Sequence, residues 1–226
     1  MEKQLMRDII QWDIRSWSKA ILFWEEKINW SGINTCMEIG AREGGLSLWL
    51  ALKGKQVICS DISISKQAEQ LHAKYKVSGK IEYEVIDATA IPYEDYFDVI
   101  VFKSVLGGIG RNDNYALQEQ AIKEMCKALK PGGKLLFAEN LRASPLHGFL
   151  RKTFQHWGGK WRYLSLPEIN ALMKEFSSLD VETTGFLSLF GNNESLRNKL
   201  ATADEKLFNK LIPEHWHYIA YGIAEK

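Results

Sequence analysis

Residues 36–45 read CMEIGAREGG, an apolar run that ends on an acid and continues into a turn of small residues. The apolar run predicts a strand with Glu38 near its carboxyl end. Gly40 and Ala41 leave bare backbone for a ligand, and Gly44 precedes the apolar run LSLWLALK, which predicts a helix. Because the first N–H groups of a helix have no partner within it, this turn is a docking point for a polar or anionic ligand.

The spacing of these glycines separates two kinds of nucleotide-binding turn. Dinucleotide-binding folds carry GxGxxG, in which one glycine lets the pyrophosphate approach and another packs the helix on the strand. The middle glycine of that motif is absent here. A strand-to-helix turn that binds no ligand is the alternative interpretation.

Two further predicted strands end on acids. KQVICSD ends on Asp61, about 20 residues beyond the glycines, where a carboxylate can accept both hydroxyls of a ribose. IEYEVIDATAI passes through Asp87, which is suited to hydrogen-bonding an adenine amino group. Ile62 and Ala88 follow these acids and are assigned to the same site. Each acid taken alone is typical of an ordinary strand end, but three in register predict a nucleoside site.

The fourth apolar run, YFDVIVFKS, is nearly continuous and predicts a central parallel strand buried on both faces. It ends at Lys103 and Ser104, beside the expected active centre, and Lys103 is assigned to the cofactor site. An amphipathic helix follows, and the segment LKPGGKLLFAEN stops it at Pro131 and begins a fifth strand.

Residues 36–45 and the phrase LKPGGKLLF at 129–137 resemble the class I S-adenosylmethionine-dependent methyltransferases. The resemblance covers roughly residues 36–136. It implies an α/β, Rossmann-like three-layer sandwich with a seven-stranded, mostly parallel sheet whose last strand is antiparallel. It also implies S-adenosylmethionine as cofactor and methyl transfer to a small or carrier-linked acceptor.

The predicted strands six and seven are LDVETTGFLSLFG and HYIAYGIAEK. The family usually joins them by a short hairpin, whereas residues 191–214 here predict a helical insertion. The insertion is expected to cap the substrate pocket or to form a homodimer contact. We expect a single domain over 1–226.

Composition narrows the possible classes of protein. A chain of 226 residues with 46% hydrophobic content can bury the core of one domain. The net charge of +1 argues against nucleic acid as partner. Apolar runs are too short for stable membrane insertion and no secretion signal is recognised, so a cytoplasmic protein is expected. The three cysteines lack metal-like spacing and predict reduced core thiols.

The first thirty residues, 1–30, predict one amphipathic helix. Its apolar residues follow one another by three or four positions: Met6, Ile10, Ile14, Trp17, Ile21, Trp24 and Ile28. Packing against the domain is favoured over a membrane-surface or partner helix. Because related enzymes often cover the cofactor with such a helix, Trp24 or Trp30 is a candidate lid residue.

Between Asn140 and Pro167 the chain carries no acid. Five cations lie there: Arg142, Arg151, Lys152, Lys160 and Arg162. Aromatic residues alternate with them, so residues 140–176 predict a lid over an anionic acceptor, contacted by Trp157, Arg162 and Tyr163. A solvated segment whose cations pair with acids elsewhere is one alternative, and peripheral contact with anionic lipid is another.

Methyl transfer from a sulfonium is an in-line displacement, so positioning supplies much of the acceleration. An oxygen acceptor, favoured here over nitrogen, also has to lose a proton. The candidate bases are His147, His156 and Glu139.

A metal-assisted mechanism requires an acid at the end of strand four, where Lys103 stands instead, so no metal is predicted. Two other functions remain open. One is a nicotinamide dehydrogenase, disfavoured by the missing glycine, and the other is a non-catalytic subunit that binds cofactor and acts as a scaffold.

Overall fold

The apolar runs of the chain form one seven-stranded sheet in the computed structural model, which describes residues 2–154 and 160–226, with the backbone alone over 150–154. The strands are β1 (Thr35–Ile39), β2 (Gln56–Asp61), β3 (Ile81–Val85), β4 (Phe97–Lys103), β5 (Leu129–Asn140), β6 (Ser178–Thr184) and β7 (Ile219–Glu225). Their order across the sheet is β3-β2-β1-β4-β5-β7-β6. β1 to β5 pair in parallel, and β7 is antiparallel to both β5 and β6, so the predicted fold is confirmed.

Helices cover both faces of this sheet. They are α1 (Lys3–Ile10), α2 (Ile14–Lys27), α3 (Gly45–Leu52), α4 (Lys66–Lys74), α5 (Leu106–Ile109), α6 (Tyr115–Ala128), α7 (Pro145–Phe154), α8 (Leu166–Leu172), α9 (Glu194–Ala203) and α10 (Asn209–Leu211). Helices α1 to α4 share one hydrophobic cluster with the sheet, and α5, α6 and α8 share the other. The sheet is therefore the middle of three layers.

β4 is the centre of both clusters. Val99 and Val101 face one layer and Ile100 and Phe102 face the other, and all four side chains are fully buried. A strand buried on both faces needs the continuous apolar run that the sequence provides. On either side of β1 the chain leaves for opposite parts of the sheet, and such a switch point is where open α/β sheets bind ligands.

The N-terminal segment differs from the single helix predicted. It forms two helices, because Gln11 and Asp13 have φ values of 73° and 47° and interrupt the helix. The Glu194 carboxylate of α9 accepts the N–H groups of Asp13 and Ile14 at 3.0 and 2.8 Å, which compensates the new helix start. The apolar face is nevertheless buried as expected, including Trp17.

β6 is shorter than predicted, because Gly185 has a φ of 82° and turns the chain out of the sheet. The insertion is helical as predicted, with a π-helical turn at Asp204–Phe208 between α9 and α10. The buried carboxylate of Asp204 accepts the N–H groups of Phe186, Leu187 and Ser188, which pins the insertion to the end of β6.

The three cysteines are free and buried, and burial raises the pKa of the Cys36 and Cys59 thiols to about 12. Over residues 2–154 and 160–226, no helix is both long and apolar enough to cross a membrane.

Candidate active site

A cleft with a volume of about 880 Å³ opens at the carboxyl ends of β1, β2, β4 and β5. This lies toward the upper end of the roughly 300–1,000 Å³ of small-molecule sites, so a cofactor and an acceptor fit side by side. Its lining residues are Ile9, Gln11, Trp12, Glu38, Gly40, Ala41, Arg42, Glu43, Gly45, Leu46, Asp61, Lys103, Ser104, Arg111, Asn140, Trp161, Tyr163, Leu189 and Arg197.

The glycines after β1 have different tasks. Gly40 has a φ of 65°, and a Cβ there would lie 2.6 Å from the Val105 side chain, so only glycine fits this turn. A Cβ at Gly45 would lie 2.1 Å from the carbonyl oxygen of Ile9, so this glycine lets α1 pack directly on the turn. The N-terminal segment thus lies against the motif.

Glu38 is buried and lies in the cleft wall as predicted. Its carboxylate accepts the N–H of Leu46 at 3.3 Å and both the N–H and the hydroxyl of Ser47 at 2.6 Å, which caps α3. Burial raises the pKa of Glu38 to about 7, against the lowering effect of these hydrogen bonds. Part of its task is therefore to hold the start of α3.

Asp61 lies in the cleft at the end of β2, and its two carboxylate oxygens accept the N–H groups of Arg42 and Ile62 at 2.8 and 2.7 Å. Each carboxylate oxygen has a second lone pair left for a ligand hydroxyl. The Ile62 side chain is 75% exposed beside it, and such an apolar surface can cover one face of an adenine ring.

Asp87 lies outside the cleft lining, although its strand end adjoins that of Asp61, whose carbonyl accepts the Ile86 N–H. The N–H and hydroxyl of Thr89 donate to the Asp87 carboxylate and lower its pKa. Ala88 is buried next to it. Three of the four residues expected to hold the cofactor, namely Glu38, Gly40 and Asp61, therefore converge in the cleft.

The carboxyl ends of β4 and β5 supply the polar floor of the other half. Lys103 and Ser104 follow β4, and Asn140 ends β5. The Asn140 side-chain amide donates to the Ser104 hydroxyl at 2.5 Å. Ser104 has a φ of 59°, an uncommon conformation for serine that is found disproportionately at functional sites.

Glu139 is fully buried and is not brought to the cleft surface. One carboxylate oxygen accepts the N–H groups of Val105 and Leu106 at 2.8 and 2.7 Å, and the other accepts the Asn140 N–H. Burial raises the pKa of Glu139 to about 7. The arrangement fixes the chain after β4 and corrects the expectation that Glu139 acts as a base.

His147 also lies away from the cleft lining and is fully buried. Its Nε2–H donates to the Phe186 carbonyl at 2.8 Å, so its Nδ1 accepts the Ser144 hydroxyl at 2.6 Å. The ring stacks on Phe190, with centroids 4.8 Å apart. Its role is structural, because both ring nitrogens are occupied. His156 and Trp157 lie outside the described residues.

Arg162 does not reach the cleft lining, where an acceptor contact was expected. It donates to Glu168 at 2.5 Å and to Asp113 at 3.0 Å, so it pairs with protein acids. Arg142 pairs with the same Glu168. Tyr163 does line the cleft, as predicted, together with Trp161.

Several cleft residues were missed by the sequence analysis. Trp12 stands at the break between α1 and α2, with its ring 5.2 Å from that of Trp17, and the Arg197 guanidinium lies 5.9 Å above it. The lid tryptophan is therefore Trp12. Trp24 is buried and donates to the Gly222 carbonyl, and Trp30 packs on Trp49. The signal available was Asp13, a residue type that prefers helix starts.

Comparison with known proteins agrees with this geometry. The family described as Methyltransferase domain matches residues 37–137. The Ubiquinone/menaquinone biosynthesis C-methyltransferase UbiE of Francisella tularensis subsp. novicida (strain U112) is 32% identical over 195 residues, which cover 81% of this chain and 69% of that protein. The protein of the same name from Shewanella sediminis (strain HAW-EB3) is 29% identical over 136 residues, covering 59% of this chain and 48% of its own.

Solved structures share the fold. Phosphoethanolamine N-methyltransferase 2 of Haemonchus contortus in complex with S-adenosyl-L-methionine has a TM-score of 0.64 at 16% identity, covering 93% of this chain and 52% of that one. The PH0226 protein of Pyrococcus horikoshii OT3 has a TM-score of 0.61 at 16% identity, covering 96% and 93%. The chain belongs to the class I S-adenosylmethionine-dependent methyltransferases. It is an enzyme whose cofactor is S-adenosylmethionine, and the dehydrogenase alternative is set aside.

Proposed function

We propose that this enzyme methylates a ring carbon of a hydroxylated aromatic acceptor that reacts as its oxyanion. The observation that carries the proposal is the composition of the cleft, in which the cofactor residues and an aromatic wall face each other across Lys103 and Ser104. The name of the relatives, a C-methyltransferase of quinone biosynthesis, supports a carbon acceptor. Oxygen, the acceptor atom favoured from sequence, becomes the second candidate because the same oxyanion carries both nucleophilic positions.

The cofactor side of the cleft fits S-adenosylmethionine by its donor and acceptor set. The Asp61 carboxylate suits the ribose hydroxyls, the exposed Ile62 suits an adenine face, and the bare backbone at Gly40 admits the methionine part. When bound, the cofactor supplies a methyl group activated by a positive sulfur. The enzyme's own residues align the acceptor with that methyl and exclude water.

The acceptor side is built for a flat ring. Trp12, Trp161 and Tyr163 contribute aromatic surface, and Leu189 adds an apolar contact. Trp161 lies on the backbone of α5, since a Cβ at Gly107 would come within 2.9 Å of its ring. The glycines after β4 therefore make room for this wall.

An oxyanion is the chemically required form of the acceptor. A neutral hydroxylated ring is a weak nucleophile, whereas its oxyanion places electron density on the oxygen and on the neighbouring ring carbons. Arg42, Arg111 and Arg197 line the cleft and make its field positive. The anionic acceptor expected from the sequence is thus proposed as an anion formed or held in the cleft, by cations other than Arg162.

The test is incubation of the enzyme with S-adenosylmethionine and naphthohydroquinone, a ring acceptor with free hydroxyls, under exclusion of oxygen. We expect S-adenosylhomocysteine to form together with a product whose new methyl is bonded to ring carbon by NMR. The matched control is the dimethyl ether of the same ring, which cannot ionise. A methyl on oxygen would transfer the proposal to O-methylation, and equal turnover of the ether would contradict an oxyanion acceptor.

A further inference from the structure

We propose that Lys103 is the catalytic base of this enzyme: its amine takes the proton of the acceptor hydroxyl and then, as an ammonium, holds the oxyanion. This inference rests on the proposed function, because it requires an acceptor with an ionisable hydroxyl. It assigns a different task to a residue that the sequence suggested for cofactor binding.

The step balances as follows. The O–H bond breaks as an N–H bond forms on Lys103, and the oxygen electron pair conjugates into the ring. The ring carbon forms a bond to the methyl group while the methyl–sulfur bond breaks toward sulfur. The proton on the methylated carbon leaves to water, and the ammonium returns its proton to the acceptor oxygen. One proton is released overall and Lys103 is neutral again.

The position of Lys103 suits this task. It is the last residue of β4, opposite Ala138 of β5, and it lines the cleft between the Gly40 turn and Ser104. The cofactor residues lie on one side of it and Tyr163 of the aromatic wall belongs to the other half of the lining. A base at the boundary of the two halves can reach an oxygen next to the reacting carbon.

The amine has no polar partner within the part of the chain that the structure describes. Its Nζ lies 5.1 Å from the ring centroids of both Trp12 and Trp17, and it forms neither a hydrogen bond nor an ion pair with a described residue. Most buried polar groups are satisfied, so a half-buried lysine facing a cleft in this state points to a ligand as its partner. The two indole faces also stabilise the ammonium once it forms.

The surrounding charges keep the amine close to neutrality. Burial lowers the pKa of Lys103 to about 8, and Arg42 on the loop after β1 lowers it further. Three acids act in the opposite direction: Glu38 on β1, Glu139 on β5 and Asp13 between α1 and α2. A base with a pKa near the working pH is the most effective one, and an arginine could not deprotonate at this pH.

Ser104 supplies a second contact for the oxyanion. Its oxygen accepts the Asn140 amide at 2.5 Å, so its own O–H is available to donate to a ligand. Lys103 and Ser104 are adjacent, and both line the cleft. Fixed donors placed where negative charge develops lower the barrier without reorganisation.

Lys103→Met tests the base role directly. We expect kcat on naphthohydroquinone to fall about 100-fold or more, while the affinity for S-adenosylhomocysteine stays within about 2-fold. Lys80→Met is the matched control, since Lys80 is exposed and lies outside the cleft lining. Lys103→Arg separates a base from a fixed charge: it should be nearly as slow as Lys103→Met. Wild-type turnover by Lys103→Arg, or by Lys103→Met, would overturn the proposal.

The pH profile gives the second readout. Because the neutral amine is the active form, kcat/KM of the wild type should rise with pH through about 8 and then level off. The rising limb should vanish in Lys103→Met. A nitro-substituted naphthol that is already ionised at the assay pH should restore most of the variant's rate. An equally slow variant on this acceptor would show that Lys103 does not act by removing a proton.

A measurement without turnover separates this inference from the proposed function. Para-nitrophenol changes its absorbance when it ionises, and we expect its pKa to fall on binding to wild-type enzyme with S-adenosylhomocysteine present, but not on binding to Lys103→Met. If the wild type fails to methylate naphthohydroquinone but lowers the pKa of bound nitrophenol, the proposed acceptor is wrong and the role of Lys103 stands. An unchanged pKa in the wild type overturns the role of Lys103.

Discussion

The two halves of the cleft are built in different ways. The cofactor half comes from one stretch of chain, residues 36–62, in which Asp61 accepts the N–H groups of its near neighbours Arg42 and Ile62. The acceptor half comes from four distant segments, because Trp12, Lys103, Tyr163 and the α9 residue Arg197 are brought together only by the fold. The cofactor half therefore has a local sequence signature, and the acceptor half has none.

This difference has a functional consequence. The same glycine-rich turn can serve many reactions, whereas the residues that contact the acceptor are free to change with the substrate. Variants in the two halves should consequently affect different steps. The predictions below run from the largest expected effect on methyl transfer to the smallest.

Asp61→Ala should have the largest effect among them, and only on the cofactor. We expect the affinity for S-adenosylhomocysteine to fall by about 1–3 kcal/mol, because charge-assisted hydrogen bonds to the ribose are lost. Calorimetry measures the affinity, and thermal unfolding without ligand checks that the domain stays folded. Asp180→Ala, at an exposed acid on β6, is the control. Unchanged affinity would remove Asp61 from the site.

Trp12→Ala should affect the acceptor half. We expect the KM for naphthohydroquinone to rise about 3- to 10-fold, as one ring face loses an aromatic contact, with the cofactor affinity nearly unchanged. Trp216→Ala serves as the comparison, since Trp216 belongs to the insertion but not to the cleft lining. A larger loss of cofactor affinity than of acceptor KM would show that the two halves are not separate.

Arg162→Ala should leave both constants within about 2-fold. Its ion pairs with Glu168 and Asp113 and its 13% side-chain exposure predict instead a stability loss of about 1–3 kcal/mol, measured by urea unfolding. Arg142→Ala is the control, because its side chain is 62% exposed and a surface pair contributes little. A selective rise in acceptor KM would reinstate Arg162 as an acceptor contact.

Asp98 lies at the amino end of β4, far from the chemistry, and should affect acid stability alone. Burial opposes its ionisation, but the Lys130 ammonium and the N–H groups of Thr35 and Asn34 outweigh it and hold the pKa of Asp98 at about 2. Because this pKa is depressed from 3.8, the stabilisation is complete above about pH 4 and is lost as the pH falls toward 2.

Asp98→Asn should therefore lose about 2 kcal/mol of stability near neutral pH and show a flatter acid limb, with unchanged turnover. Unfolding by urea across this pH range measures the effect. Asp95→Asn, at a more exposed acid, is the control. An acid limb that is equally steep in Asp98→Asn would assign it to other carboxylates.

Sequence patterns predict the fold and the cofactor half well because both depend on near neighbours. The strand over 35–39 and the buried run through β4 appear where the apolar residues indicate. The break at Gln11 and Asp13 could not be predicted, since its compensation comes from Glu194, far along the chain. The burial of His147 likewise depends on the distant carbonyl of Phe186.

Arg162 shows a different reason for failure. The acid-free stretch ends at Pro167, and the very next residue, Glu168, is the partner of both Arg162 and Arg142. The excess of cations is therefore balanced within the folded chain. A count of charges cannot show which cations have neighbouring acids.

The most direct test of two halves meeting at Lys103 is a crystal structure of the enzyme with S-adenosylhomocysteine and naphthohydroquinone. We predict the ribose hydroxyls within hydrogen-bond distance of the Asp61 carboxylate, the ring against Trp12 and Tyr163, and a ring oxygen near the Lys103 amine. A nucleoside bound elsewhere, or a ring on the far side of the cofactor from Lys103, would contradict the account.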